Sequence, residues 1–313
     1  MITCNLMGGL GNQLFQIFTT ISLSIKTTNS FIFSNTETLD NGKRHTYWDT
    51  ILFRLKPFLR PFFHKMNILK EQGFEYNNIH LHNLMGADTC LYGYFQSYKY
   101  FDDTFDSIYR MLQIEKQKET LISSLVNPIF TNHKENSLEN TISIHFRLGD
   151  YKGLSHIYPI LERSYYETAI NLIIHKFSFN TPLKGAEMNG GLEPLLCEYS
   201  IRKGVKQTGN TNFNILFFCE DDDLLDVLEI VNSLKAQFNM CEFIRCPENL
   251  KDWEQLLLMS CCRHNVIANS SFSWWGAYLN THKDKIVCCP DIWFKEATGH
   301  NTTDLCPNDW FHI

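Results

Sequence analysis

The chain has 313 residues, of which 44% are hydrophobic and 14% aromatic, and carries a formal net charge of −6 at pH 7. That length suits two domains with sizeable cores. The negative balance argues against a nucleic-acid or anionic-membrane surface, while leaving room for a small anion held by a local arginine.

Eleven cysteines are present, without a C-x-x-C pair. Several sit in apolar runs, such as Cys219 after Ile215-Leu216-Phe217-Phe218. They read as buried free thiols in a reducing compartment, and no Cys/His spacing matches a zinc site. No segment approaches transmembrane length. The start, Met1-Ile2-Thr3-Cys4-Asn5-Leu6, lacks the basic lead and apolar core of a signal peptide. The expectation is a cytoplasmic protein without an integral membrane segment and without nucleic acid as a partner.

In chain order, Ile2 to Leu6 reads as a first strand, Gly8-Gly9-Leu10-Gly11-Asn12 as a turn, and Gln13 to Ile25 as a helix. This is the opening of a βαβ unit. Gly9, Gly11 and Asn12 at such a turn can cradle a phosphate at a helix N-terminus, or form a tight turn with no ligand. The turn is not a dinucleotide fingerprint. Leu14 takes the third glycine place, and Phe33-Ser34-Asn35 puts no acid at the end of the second strand. No G-x-x-x-x-G-K-S/T sequence occurs either, so Rossmann oxidoreductase and P-loop readings are disfavoured.

Ser30 to Phe33 reads as the second strand. Residues 43–100 are mixed, with Pro57 and Pro61 breaking an aromatic and basic stretch, and Phe101 to Glu119 is helical in character. The polar Asn127 to Asn140 suits an interdomain linker. After it, strands at 141–147, 214–219, 242–245, 264–268 and 285–288 are expected. Helices at Ser164–Lys176, Asp222–Phe238, Leu250–Cys261 and Phe272–Leu279 alternate with them. The fold class is therefore α/β, with two Rossmann-like domains, 1–138 and 139–313, facing a central cleft. The glycine- and proline-rich stretch 178–212 reads as a flexible surface insertion.

Three strand ends carry chemistry. Thr141-Ile142-Ser143-Ile144 alternates and is β-branched, and it runs into His145-Phe146-Arg147-Leu148-Gly149-Asp150-Tyr151. His145 and Arg147 share a strand face, where the arginine fork suits a phosphate. The bland alternative is an ion pair between Arg147 and Asp150. Glu220-Asp221-Asp222-Asp223 follows a buried strand and opens a helix. It can cap that helix, hold a metal on a nucleotide diphosphate, or take ribose hydroxyls. Asn269-Ser270-Ser271 sits between a strand and a helix, as an anion site or as a serine cap ahead of a core containing Trp274 and Trp275. For the tryptophans, packing is favoured over sugar stacking.

Taken together, the heptad His145–Tyr151, the start Gly8–Gln16 and Asn269–Trp275 resemble the signature motifs of α-1,2-fucosyltransferases in order and spacing. Gly93–Ser97, Leu258–Ser260 and Pro307–Trp310 are similar to further blocks of that family. The resemblance implies a GT-B-like fold, with the acceptor side in the first domain and GDP-L-fucose held mainly by the second. It implies metal-independent, inverting transfer from GDP-β-L-fucose to O2 of a galactose-terminated glycan, with no cofactor beyond that nucleotide sugar. By position Arg147 would meet the diphosphate, His145 and Asp252 the guanine, and Glu220 and Asp221 the ribose. Ser270, Ser271 and Asn269 would lie at the phosphate. Asp150 would serve either as the base for the acceptor proton or to orient Arg147 or His145. Two positions depart from the family. Leu148 stands where a second arginine is usual, leaving Arg147 as the one cation certain to face the diphosphate. Cys219-Glu220-Asp221 replaces a Ser-Asp-Asp block. A protein O-fucosyltransferase and a non-catalytic GDP- or glycan-binding module are the competing readings.

Overall fold

A computed structural model describes residues 1–61, 66–129, 137–178 and 213–313. The expected insertion at 178–212 lies outside the described residues except for Ser178, as does the middle of the 127–140 linker.

The first half opens with β1 (Ile2–Cys4) and α1 (Leu10–Thr27). Among the 18 residues of α1 the one charge is Lys26. A helix that apolar and uncharged has no solvent face, so it is buried nearly all round. Its hydroxyls are satisfied inside the helix: Thr20, Ser24 and Thr27 each donate to the carbonyl four residues back, at 2.6–2.8 Å. β2 (Asn67–Lys70) and β3 (Thr89–Tyr92) join β1 in a parallel three-stranded sheet ordered β1-β3-β2. A parallel bridge from Ile2 to Phe31 and the parallel pairing of Phe33–Ser34 with Leu59–Arg60 extend this edge. The helical stretch expected at 101–119 breaks into α2 (Phe105–Met111) and α3 (Ile114–Ile129). The break falls where Gln113 takes a left-handed φ of 54°.

The second half comprises β4 (Thr141–His145), α4 (Gly149–Gly153), α5 (Arg163–Ser178), β5 (Asn214–Phe218) and α6 (Leu224–Gln237). It continues with β6 (Glu242–Arg245), α7 (Asp252–Cys261), β7 (His264–Val266), α8 (Ser271–Tyr278), β8 (Val287–Cys289) and β9 (Phe311–His312). All six strands are parallel, in the order β6-β5-β4-β7-β8-β9. Counted from the first strand this is 3-2-1-4-5-6, the doubly wound order, which reverses between β4 and β7. The sheet therefore has one strand more than the sequence suggests. β9 is only two residues long and pairs Phe311 with Cys288.

Period-two alternation assigns the faces. Ile215 and Phe217 of β5 join Ile142, Ile144, Tyr166, Ile170, Val227 and Val231 in the core beneath α5 and α6. Leu216 and Phe218 join a larger core containing α7, α8 and most of the first half. Each sheet takes its strands from one side of residue 138, but this apolar core does not divide there. Phe15 packs on Trp274 at 4.4 Å and Phe18 on Trp275 at 4.5 Å, and both tryptophans are fully buried. Of the two uses considered for them, packing is the one observed. No helix among the described residues is long and apolar enough to cross a membrane.

Candidate active site

In an open α/β sheet, ligands bind beyond the carboxyl ends of the strands where the order reverses. Here that point lies between the ends of β4 and β7, and a cavity of about 650 Å³ opens there. Its lining includes the twelve residues expected to meet the nucleotide sugar or the acceptor: Gly9, Gly11, Asn12, His145, Arg147, Asp150, Glu220, Asp221, Asp252, Asn269, Ser270 and Ser271.

Arg147 leaves the end of β4 with its side chain largely covered. It pairs with Asp150 at 2.8 Å and with Glu220, and its guanidinium lies over the Tyr151 ring, 5.3 Å from the centroid. The ion pair considered as the bland alternative is thus present, but it faces the cavity. Burial opposes the charge on Arg147, yet the two carboxylates outweigh burial and raise its pKa. His145 is buried, and burial together with Arg147 pushes it down to about 3, so its imidazole is neutral at pH 7. Its Nδ1 has no hydrogen-bond partner among the described residues.

Two helix N-termini meet beside this arginine. Gly11, in the first turn of α1, lies so close to the start of α8 that an added Cβ would be 2.4 Å from the Ser271 carbonyl carbon. Asn12 Oδ1 accepts from Ser271 Oγ at 2.7 Å and from Gln96 Nε2 at 2.8 Å, tying the turn to α8. Ser270 caps α8 by accepting from the Phe272 N–H at 3.4 Å. Convergent helix starts direct N–H groups and positive dipole ends to one place, which favours an anion. The opposite end of α8 is met by lysines. Lys118 donates to the Leu279 carbonyl at 3.3 Å, and Lys285 donates to those of Ala277 at 2.9 Å and Asn280 at 2.7 Å. Burial lowers Lys285 to about 8. Asn269 serves the frame: its amide donates to the Pro159 and Trp293 carbonyls at 3.0 and 3.2 Å, and its own carbonyl accepts from Tyr151.

The acidic run divides by strand end. Glu220 meets Arg147, whereas Asp221 meets Arg245 at 2.6 Å. Asp223 is buried and caps α4, accepting from the Gly149 N–H at 2.7 Å and the Leu148 N–H at 3.3 Å. Asp252, in the first turn of α7, accepts from the Tyr47 hydroxyl of the first half. Burial and then Asp252 raise the Tyr47 phenol. Among the described residues no group of three His, Cys, Asp or Glu is disposed to hold a metal ion. The described cysteines are free thiols, and burial raises Cys219 to about 11.

Arg147 is not the only cation that lines the cavity. Leu148 is buried in the core beneath α5 and does not line the cavity, but Arg245, at the end of β6, does, as does Arg44. Arg245 pairs with Asp221 and Glu248. Adjacent parallel strands place Arg147, Glu220, Asp221 and Arg245 in a row, each acid beside an arginine. Sequence reasoning also missed Asp40, Tyr47 and Tyr94, which come from the irregular region of the first half. A charge closing a short apolar strand was the available signal for Arg245, and the Gly93–Ser97 block for Tyr94; Asp40 and Tyr47 had none.

The family description Glycosyl transferase family 11 matches residues 214–312, from β5 through β9. Over those residues the chain is similar to family 11 glycosyltransferases. Over their whole lengths, the chain is 29% identical to the O-antigen biosynthesis glycosyltransferase WbnK of Escherichia coli, across 353 aligned positions. It is 27% identical to an Escherichia coli alpha-1,2-colitosyltransferase over 177 residues, 56% of this chain and 48% of that one. Among solved structures, it is similar to an Arabidopsis thaliana FUT1 mutant in complex with GDP, with a TM-score of 0.47 and 10% identity over 98% of this chain and 74% of that one. The corresponding values for the fucosyltransferase NodZ from Bradyrhizobium are a TM-score of 0.36 and 10% identity, over 89% and 92% of the two chains.

Proposed function

We propose that this chain moves L-fucose from GDP-β-L-fucose to O2 of a terminal β-galactoside, with inversion to an α-1,2 linkage. One observation carries the reading: twelve residues chosen from separate sequence motifs all line one cavity at the strand-order reversal. The nucleotide lies on the second half, its diphosphate between Arg147, Arg245 and the N-termini of α1 and α8. His145 and Asp252 serve the guanine, and Glu220 and Asp221 turn to the ribose as the phosphates draw the arginines away.

Sugar transfer passes through an oxocarbenium-like state while negative charge grows on the departing phosphate. The two arginines and the α8 start supply that stabilisation from the protein's own groups, without a cofactor. Arg147 is held by Asp150 before and after the donor arrives, so little reorganisation is required when charge develops. Asp150 acts here to orient Arg147.

The likeness to an alpha-1,2-colitosyltransferase favours a second reading in which the donor sugar is colitose, with the same linkage. Incubation with GDP-fucose or a colitosyl donor and a panel of β-galactosides, followed by linkage analysis, tests both. The expected product is α-1,2-fucosylated galactose. Transfer to a folded peptide domain alone would point to protein fucosylation, and GDP binding without turnover to a binding module; either result would refute the proposal.

A further inference from the structure

Six carboxylates line the cavity: Asp40, Asp150, Glu220, Asp221, Glu248 and Asp252. Five are engaged by side chains. Asp150 and Glu220 meet Arg147, Asp221 and Glu248 meet Arg245, and Asp252 accepts from Tyr47. Asp40 differs, because among the described residues its carboxylate accepts only a backbone N–H, that of Gly8 at 3.2 Å.

A hairpin sets its position. Thr38–Leu39 pairs antiparallel with Arg44–His45, and the residues between turn through left-handed φ values of 51° at Asp40 and 57° at Asn41. Asp and Asn adopt that region more readily than other side chains. The tip folds over the glycine turn that opens α1, and the bond from Gly8 holds it there. Tyr94 adjoins it: burial and then the Asp40 charge raise its phenol. Tyr158, whose phenol is raised by burial and then by Tyr94, stacks on Tyr151 at 4.1 Å, and Arg147 lies over the Tyr151 ring. Phe74 and Phe294, 4.9 Å apart, complete an aromatic wall of a kind that holds a pyranose ring.

We infer that Asp40 takes the proton of the acceptor hydroxyl, an assignment that rests on the sugar-transfer reading above. As the acceptor oxygen bonds to the anomeric carbon, its proton passes to an Asp40 oxygen. The bond from that carbon to the donor phosphate breaks, and its electron pair leaves with the diphosphate. A carboxylate bonded to an arginine is a poor base because the cation favours its ionised form. The engaged carboxylates belong with the cations that receive the leaving charge; Asp40, on the hairpin over the α1 turn, forms no ion pair among the described residues.

The test compares Asp40→Asn and Asp150→Asn with the unaltered protein, measuring GDP affinity by calorimetry and transfer to a β-galactoside. Asp40 is exposed on a hairpin and Asn tolerates its left-handed backbone, so Asp40→Asn should melt with the parent. Asp40→Asn should bind GDP within about twofold of the parent yet transfer at least about 100-fold more slowly at saturating substrates, and added formate should restore part of the loss in Asp40→Ala. Transfer by Asp40→Asn within about threefold of the parent overturns the assignment, as does a loss explained wholly by GDP affinity. Formate rescue in Asp150→Ala but not in Asp40→Ala overturns it as well. A parent protein that binds no GDP or turns over no donor removes the underlying reading and this assignment with it, and it does so before any substitution is made.

Discussion

Gly9 and Gly11 stand two residues apart in one turn, yet a methyl group added at each should have opposite consequences. At Gly9 a Cβ meets nothing within 4 Å, and its φ of −78° suits any residue. At Gly11 the same atom would lie 2.4 Å from the Ser271 carbonyl carbon, 2.5 Å from its oxygen and 2.6 Å from the Phe272 nitrogen. Those contacts fall about 1 Å short of van der Waals separation, and backbone atoms cannot swing aside as a side chain does. The starts of α1 and α8 must part, against the grip of Phe15 on Trp274 and Phe18 on Trp275. Overpacking of this kind costs about 1–3 kcal/mol, a drop of several degrees in Tm for a chain of this size. The displaced atoms also frame the proposed anion site, so Gly11→Ala should weaken GDP binding by about tenfold or more, since a displacement near 1 Å is costly to a preorganised site. Scanning calorimetry with and without GDP measures both effects, with Gly9→Ala as the matched control. A Gly11→Ala protein that melts with the parent and binds GDP equally well would refute the reasoning.

Arg147→Ala should lower transfer by about 10²–10³, the usual cost of one preorganised donor, and Arg147→Lys should recover little because the fork is lost; steady-state kinetics decides. Arg245→Ala should weaken GDP affinity by about tenfold, as for other charge-assisted contacts, and calorimetry showing unchanged affinity would remove it from the donor site. His145 and His264 are both held near 3 against an ordinary 6.5, by burial first and a neighbouring arginine second. A depressed folded pKa contributes stability that is present above the unfolded value and lost as pH falls. Each should therefore cost about 2 kcal/mol on going from pH 7 to pH 5. Urea titrations of the parent and His145→Gln at the two pH values should show a smaller loss in the variant.

Much of the second half was legible because its strands are β-branched or aromatic runs ended by charged or small polar residues. β4, β5 and β6 fall within two residues of their expected limits. The site residues were legible for the same reason: a buried parallel strand must surrender its polarity at its carboxyl end. Arg245 obeys that rule as well as Arg147 does, but Cys246-Pro247 behind it resembles no motif and draws no attention. β9 was missed because two residues cannot show a period, and α4 because a five-residue helix depends on the Asp223 cap supplied from beyond β5. Asp40 and Tyr47 were invisible for a different reason. They reach the cavity through a hairpin whose partners, Gly8 and Asp252, are distant in the chain.

The aromatic seam between α1 and α8 also limits how the enzyme can open. Rings such as Phe15, Phe18 and Trp275 each hide about 150–250 Å², so prising apart even three of them would forfeit on the order of 10 kcal/mol. A jaw that swings wide at every turnover is therefore too expensive for this molecule. Entry and release fall instead to the rim, where the Asp40 hairpin is held by the Gly8 N–H on Asp40 and the Gln13 amide on the His45 carbonyl, apart from the aromatic seam.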